Sequence, residues 1–68
     1  MKKGQIVKIK KEKLEDFKRV LGEINEMDIF EVVDSYFEYN EKLLTIKDKK
    51  HTIIEYVSED SFMIVSNS

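Results

Sequence analysis

The stretch from Phe30 to Val57, FEVVDSYFEYNEKLLTIKDKKHTIIEYV, constrains this chain more than any other part of it. It is dense in β-branched and aromatic residues, which suit a pleated, half-buried surface, and short polar clusters interrupt it twice. That pattern predicts a β-meander. Phe30 to Tyr39 is its longest strand, but the alternation slips: Phe30 and Val32 share one phase, while Val33, Phe37 and Tyr39 share the other. A β-bulge or strong bend near Val33–Ser35 reconciles the two phases, and such kinks curl a sheet. Asn40-Glu41 is the expected first turn, Leu43 to Ile46 the next strand, Asp48-Lys49-Lys50 the second turn and Thr52 to Val57 the strand after it. Ser58-Glu59-Asp60-Ser61 then interrupts, Phe62 to Val65 reads as a last short strand, and Ser66-Asn67-Ser68 as a polar tail.

Two elements precede the meander. Gln5 to Lys10 alternates Val7 and Ile9 with Lys8 and Lys10, the pattern of a strand half buried against a core, and Gly4 before it suits a turn. From Glu12 the period changes to that of a helix, with Leu14, Phe17, Leu21 and Ile24 on one stripe. No Ser, Thr, Asp or Asn stands at the expected N-cap, so the start is ragged; Gly22 suits a C-terminal stop, giving a helix of about Glu12 to Leu21. The expected core is Val7, Ile9, Leu14, Phe17, Leu21, Phe30, Val32, Leu44, Ile46, Ile54, Tyr56, Phe62 and Ile64.

With 68 residues the chain is expected to be one small domain, residues 1–68, burying only about 60% of its unfolded surface. Scaffolds of this size are commonly reinforced by disulfides, a metal or a partner. Cysteine is absent, which removes disulfides and thiolate chemistry, and self-association is the most open of the three routes. The lysine-studded opening lacks the apolar run of a signal peptide, and no segment has the length of a membrane span, so the expectation is a soluble cytoplasmic protein with no membrane partner. The net charge of −2 conceals an asymmetry: residues 1–19 carry +5, residues 20–41 carry −7 with no base among them, and residues 42–68 balance.

The segments Gly4-Gln5-Ile6-Val7-Lys8-Ile9 and Ile54-Glu55-Tyr56-Val57-Ser58-Glu59-Asp60-Ser61-Phe62-Met63-Ile64-Val65 resemble the SH3-like and Sm-like small β-barrels. The resemblance implies a strand that runs into a single 3₁₀ turn of small and acidic residues, followed by a short closing strand. The helical segment departs from it. SH3-like barrels carry a long loop after the first strand, and Sm-like proteins place their helix before it. No functional residue follows from the likeness, since folds host many functions. The expected fold is therefore α+β and mostly β: a five-stranded, bent antiparallel sheet or SH3-like barrel with one helix inserted after the first strand. An open α+β sheet with the helix across one face is the alternative.

Five sets of residues bear on function. His51, Ser58 and Asp48 hold the residue types of a triad, but no nucleophile elbow or glycine-rich oxyanion loop accompanies them, so no enzyme activity is expected. The acids from Glu23 to Asp34 are interleaved with Met27, Ile29, Phe30, Val32 and Val33, unlike a calcium loop, so neither metal nor cofactor is expected. Lys8 and Lys10, with Lys2, Lys3 and Lys11 nearby, and Lys47, Lys49 and Lys50 offer a basic patch for single-stranded nucleic acid; lysines at strand edges and turns also simply keep sheets apart. Glu31, Asp34 and Glu38 offer the opposite, an acidic face that imitates nucleic acid on a host protein, or an ordinary solvated face. Short Lys/Glu/Ile-rich chains with such inhibitory roles are common in phages and mobile elements, and that origin is the expectation here. Tyr36 and Tyr39 suggest an aromatic patch for a protein partner or a second copy. A non-enzymatic protein-interaction module, with homo-oligomerisation as one form of it, is the reading these features favour.

Overall fold

The computed structural model describes residues 1–66; Asn67 and Ser68, the end of the expected polar tail, lie outside the described residues. The chain runs β1 (Ile6–Ile9), a 3₁₀ turn (Lys11–Lys13), α1 (Leu14–Leu21), β2 (Ile29–Glu38), β3 (Glu41–Lys47), β4 (Ile53–Ser58), a second 3₁₀ turn (Glu59–Ser61) and β5 (Phe62–Ser66). The strands form one antiparallel sheet in the order β4-β3-β2-β1-β5. The fold is thus a small α+β structure, mostly strand, with a single helix after the first strand. The sheet does not close into a barrel. β4 and β5 are its two edges, although only the Glu59–Ser61 turn separates them in the chain. Among the described residues no helix is long and apolar enough to cross a membrane.

The core sits on one face of the sheet. Val7 and Ile9 of β1, Phe30 and Val32 of β2, Leu44 and Ile46 of β3, and Phe62 at the start of β5 form one buried cluster. An eight-residue helix is too short to be stable in water by itself, so α1 depends on packing against that cluster. Leu14 and Phe17 supply it, joined by Ile24 just beyond the helix, with Phe17 set edge-on to Phe62 at 5.5 Å and Phe62 edge-on to Phe30 at 6.3 Å. The ragged helix start is the 3₁₀ turn, and Lys10, which precedes it at the N-cap position, gives no side-chain cap. The stop is Gly22, with φ 81° and ψ −130°, a conformation that side-chain-bearing residues rarely adopt.

Two bulges shape the sheet. In the β2–β3 ladder Val32 pairs with Ile46 and Asp34 with Thr45, so Val33 is the extra residue, where the phase slip had placed a bend. In the β3–β4 ladder Leu44 pairs with Val57 and Ile46 with Ile54, leaving Glu55 and Tyr56 together opposite Thr45. Tyr56 takes φ 60° there. This second bulge corrects one core expectation. Tyr56 turns outward and is 63% exposed, and Val57 packs on the core in its place. Ile64 also fails to bury: it pairs with Val7, but β5 is an edge strand with nothing beyond it, and Ile64 stays about half exposed. Leu43 is buried instead, on the side of β3 opposite Leu44, between cross-strand neighbours Tyr36 and Ser58. The first turn sits one residue earlier than expected, at Tyr39-Asn40, because both residues adopt positive φ (54° and 63°) and close a two-residue hairpin between Glu38 and Glu41.

Candidate functional site

The bulge at Val33 decides which side chains of β2 reach solvent. Phe30 and Val32 face the core, and simple alternation would send Asp34, Tyr36 and Glu38 the same way. The extra residue reverses the phase. Asp34, Tyr36 and Glu38 therefore pair with Thr45, Leu43 and Glu41 on the outer face, which Glu31 shares through its pairing with Lys47. The β4 bulge brings Glu55 and Tyr56 to the same place. The result is a shallow depression of about 280 Å³ lined by Asp34, Tyr36, Glu38, Thr45, Glu55 and Tyr56.

Two tyrosines brace this surface. Their rings meet edge to face at 5.9 Å, and the Tyr56 backbone N–H donates to Tyr36 Oη at 3.1 Å. The Ser35 N–H donates to Asp34 Oδ1 at 2.9 Å and fixes that carboxylate at the bulge. No basic side chain lines the depression. Beyond it, the hairpin tip projects Phe37, 65% exposed, and Tyr39, 88% exposed. Glu38 and Glu41 face each other directly at the last pair of the hairpin, an arrangement that repels.

Two residue sets that the sequence suggests separately thus form one surface: Asp34 and Glu38 of the acidic set, and Tyr36 of the aromatic set. Tyr39 stands at its edge, on the tip. Glu31 lies on the same face but beyond the bulge, where its carboxylate meets Lys47 Nζ at 3.5 Å. Glu55 belongs to the surface without having been singled out for it, as does Tyr56, expected in the core, whereas Phe37 pairs with Lys42 on the opposite face of β2. The signal for the first two is the interval between Ile54 and Val57, three residues apart, which breaks a two-residue period in the middle of a strand.

The lysines are dispersed. Lys8 lies in β1 opposite Ile29 and Met63, Lys10 follows the strand and donates its backbone N–H to Ser61 O, and Lys47 is engaged with Glu31. Lys49 and Lys50 stand in the β3–β4 turn, on the rim of an open groove of about 840 Å³ between that turn and the end of α1. Asp48 organises the turn, its Oδ1 accepting from the N–H of Lys50 (2.8 Å) and of Thr52 (2.9 Å). His51 occupies the same turn, before β4, and Ser58 ends that strand with its Oγ accepting from the Asp60 N–H. The length of β4 keeps the two apart. Among the described residues no group of three or more His, Asp or Glu side chains is placed to hold a metal ion. No family model, curated protein or solved structure matches the chain.

Proposed function

We propose that this chain is a non-enzymatic protein-interaction module that offers its outer sheet face to a basic protein surface. The observation that carries the reading is the braced pair Tyr36–Tyr56 framed by Asp34, Glu38 and Glu55, with no cation of its own in the depression. Rigid aromatic rings bury large area at low entropic cost, and carboxylates around them select an arginine- or lysine-bearing partner. Ser58 engaged in a turn and His51 at the far end of β4 support the non-enzymatic part. The test is capture from a lysate by the immobilised chain, with Glu38→Lys/Glu55→Lys as control after its thermal unfolding has been matched to the parent. Proteins held by the parent and lost by the variant are expected; identical capture by both would overturn the reading.

A narrower form, mimicry of nucleic acid by the same carboxylates, is supported by their convergence on one face through the Val33 bulge. It predicts that duplex DNA or RNA displaces the captured protein, whereas retention in excess nucleic acid rejects it. Direct binding of single strands draws less support, because Lys47 is paired with Glu31, and Lys8 and Lys10 lie in and just after β1 while Lys49 and Lys50 stand in the β3–β4 turn. Oligonucleotide binding that weakens steeply with salt and is lost in Lys49→Glu/Lys50→Glu would restore it.

A further inference from the structure

The molecule carries a projection and a recess of matching chemistry at opposite ends of β3. The projection is the β2–β3 hairpin tip. Tyr39 is 88% exposed and Phe37 65%, and the carboxylates of Glu38 and Glu41 oppose each other across the last pair of the ladder. Like charges in that position weaken a hairpin, and a bulky residue at positive φ in its turn weakens it further. No ion pair within the described chain relieves either glutamate.

The recess is the groove between α1 and the β3–β4 turn. Leu21, Ile24, Phe30 and Ile54 give it apolar lining, and Lys18, Lys49 and Lys50 stand on its rim. Lys49 and Lys50 have no ion-pair partner among the described residues, while Lys18 reaches Glu15 at 3.7 Å. Three carboxylates also line the groove. Asp48 holds the backbone N–H groups of Lys50 and Thr52, Asp28 holds the N–H of Asn25, and Glu23 lies on the helix side, away from the two turn lysines in the chain.

From these observations we infer that the hairpin tip of one copy docks in the groove of a second copy, with Tyr39 and Phe37 against the apolar lining and Glu38 and Glu41 beside Lys49 and Lys50. The inference rests on the reading of the chain as a protein-interaction module and names one partner for it. A tip cannot enter its own groove. The seven residues of β3 separate the two by about 20 Å at the rise of an extended strand. The contact is therefore head to tail, and repeated copies build a ring or an open chain of subunits.

Sedimentation at low salt, from about 10 µM to about 1 mM, tests the idea. The parent is expected to exceed its monomer mass of 8.1 kDa as concentration rises and to dissociate as salt is added. Glu38→Lys/Glu41→Lys and Lys49→Glu/Lys50→Glu should each weaken association by about tenfold or more, because each places like charges across the contact. The first replaces one like-charge pair with another, so hairpin stability is not expected to change, and thermal unfolding at low concentration checks this. Mixed in equal amounts, the two variants should associate again, since each tip then meets a groove of opposite sign. A parent that stays monomeric throughout overturns the inference, and so does association that survives both double substitutions. If the monomeric parent still captures a lysate protein through its outer face, the interaction-module reading stands and only the second copy is excluded.

Discussion

Replacing Tyr39 by Asn should stabilise the fold, although it removes an aromatic residue from a β-hairpin. Tyr39 and Asn40 form the two-residue turn with φ 54° and 63°, and an L-residue held in that region loses about 1–2 kcal/mol relative to the right-handed one. Asn is several-fold enriched there, because its short polar side chain bonds locally to the backbone. Little is lost in exchange, because the Tyr39 side chain is 88% exposed. The balance is a gain of about 0.5–1 kcal/mol, or a rise in Tm of about 2–8 °C for a domain of this length. Circular dichroism melts at low micromolar concentration measure it free of any contribution from association. The sign discriminates between two turns. Were the turn Asn40-Glu41, Tyr39 would be a strand residue, and Tyr→Asn would cost up to about 1 kcal/mol in β-propensity. A lower Tm for Tyr39→Asn would refute the positive-φ turn and the argument built on it.

Phe62→Ala removes the ring that joins Phe17 of the helix to Phe30 of the sheet, at a cost of about 3–5 kcal/mol against a total of about 3–10 kcal/mol for a chain this long; urea titration should find it largely unfolded. Gly22→Ala meets no atom within 4 Å of the added Cβ, so its expected loss of about 1–3 kcal/mol is backbone strain alone, and a D-alanine at that position in a synthetic chain should restore the melting temperature. Asp48→Ala strips the acceptor from two turn N–H groups and should lower stability by about 1–2 kcal/mol while speeding hydrogen exchange at Lys50 and Thr52. Deleting Val33 removes the extra residue but keeps the register, since Asp34 then follows core-facing Val32 in plain alternation and still pairs with Thr45 on the outer face; urea titration should therefore find a cooperative unfolding transition retained.

Local patterns in this chain are legible because each element sits on one face and its period survives in sequence. The helix stop at Gly22, the succession of elements along the chain and the slip at Val33 all follow from residues within a few positions of one another. Closure of the sheet does not, since it depends on whether β4 and β5, one turn apart in the chain, pair in space. The turn at Tyr39-Asn40 is hidden for a different reason: Tyr reads as a strand former, and its positive φ runs against its own preference. Tyr56 is hidden likewise, at the second bulge. The acidic and aromatic candidates of β2 can be named from sequence, but their union with Glu55 and Tyr56 is a product of two bulges that face the same residue, Thr45.

That coincidence explains why carboxylates and tyrosines of β2 and β4 share one stretch of the outer face. A residue inserted in β2 and another in β4, both opposite Thr45, interrupt the ladders at the same level of β3. Bulges raise local twist and bend the bulged strand, so two at one level concentrate the bend there. Below it, Val32, Ile46 and Ile54 face the core; above it, even-numbered residues of β2 turn outward as Asp34, Tyr36 and Glu38. Residues of the same parity thus serve the core at one end of β2 and the outer face at the other. A straight strand of this composition would have to bury its carboxylates or expose its valine and phenylalanine. The extra residue at Val33 removes that conflict, and it keeps Tyr36 within reach of the Tyr56 backbone that braces it.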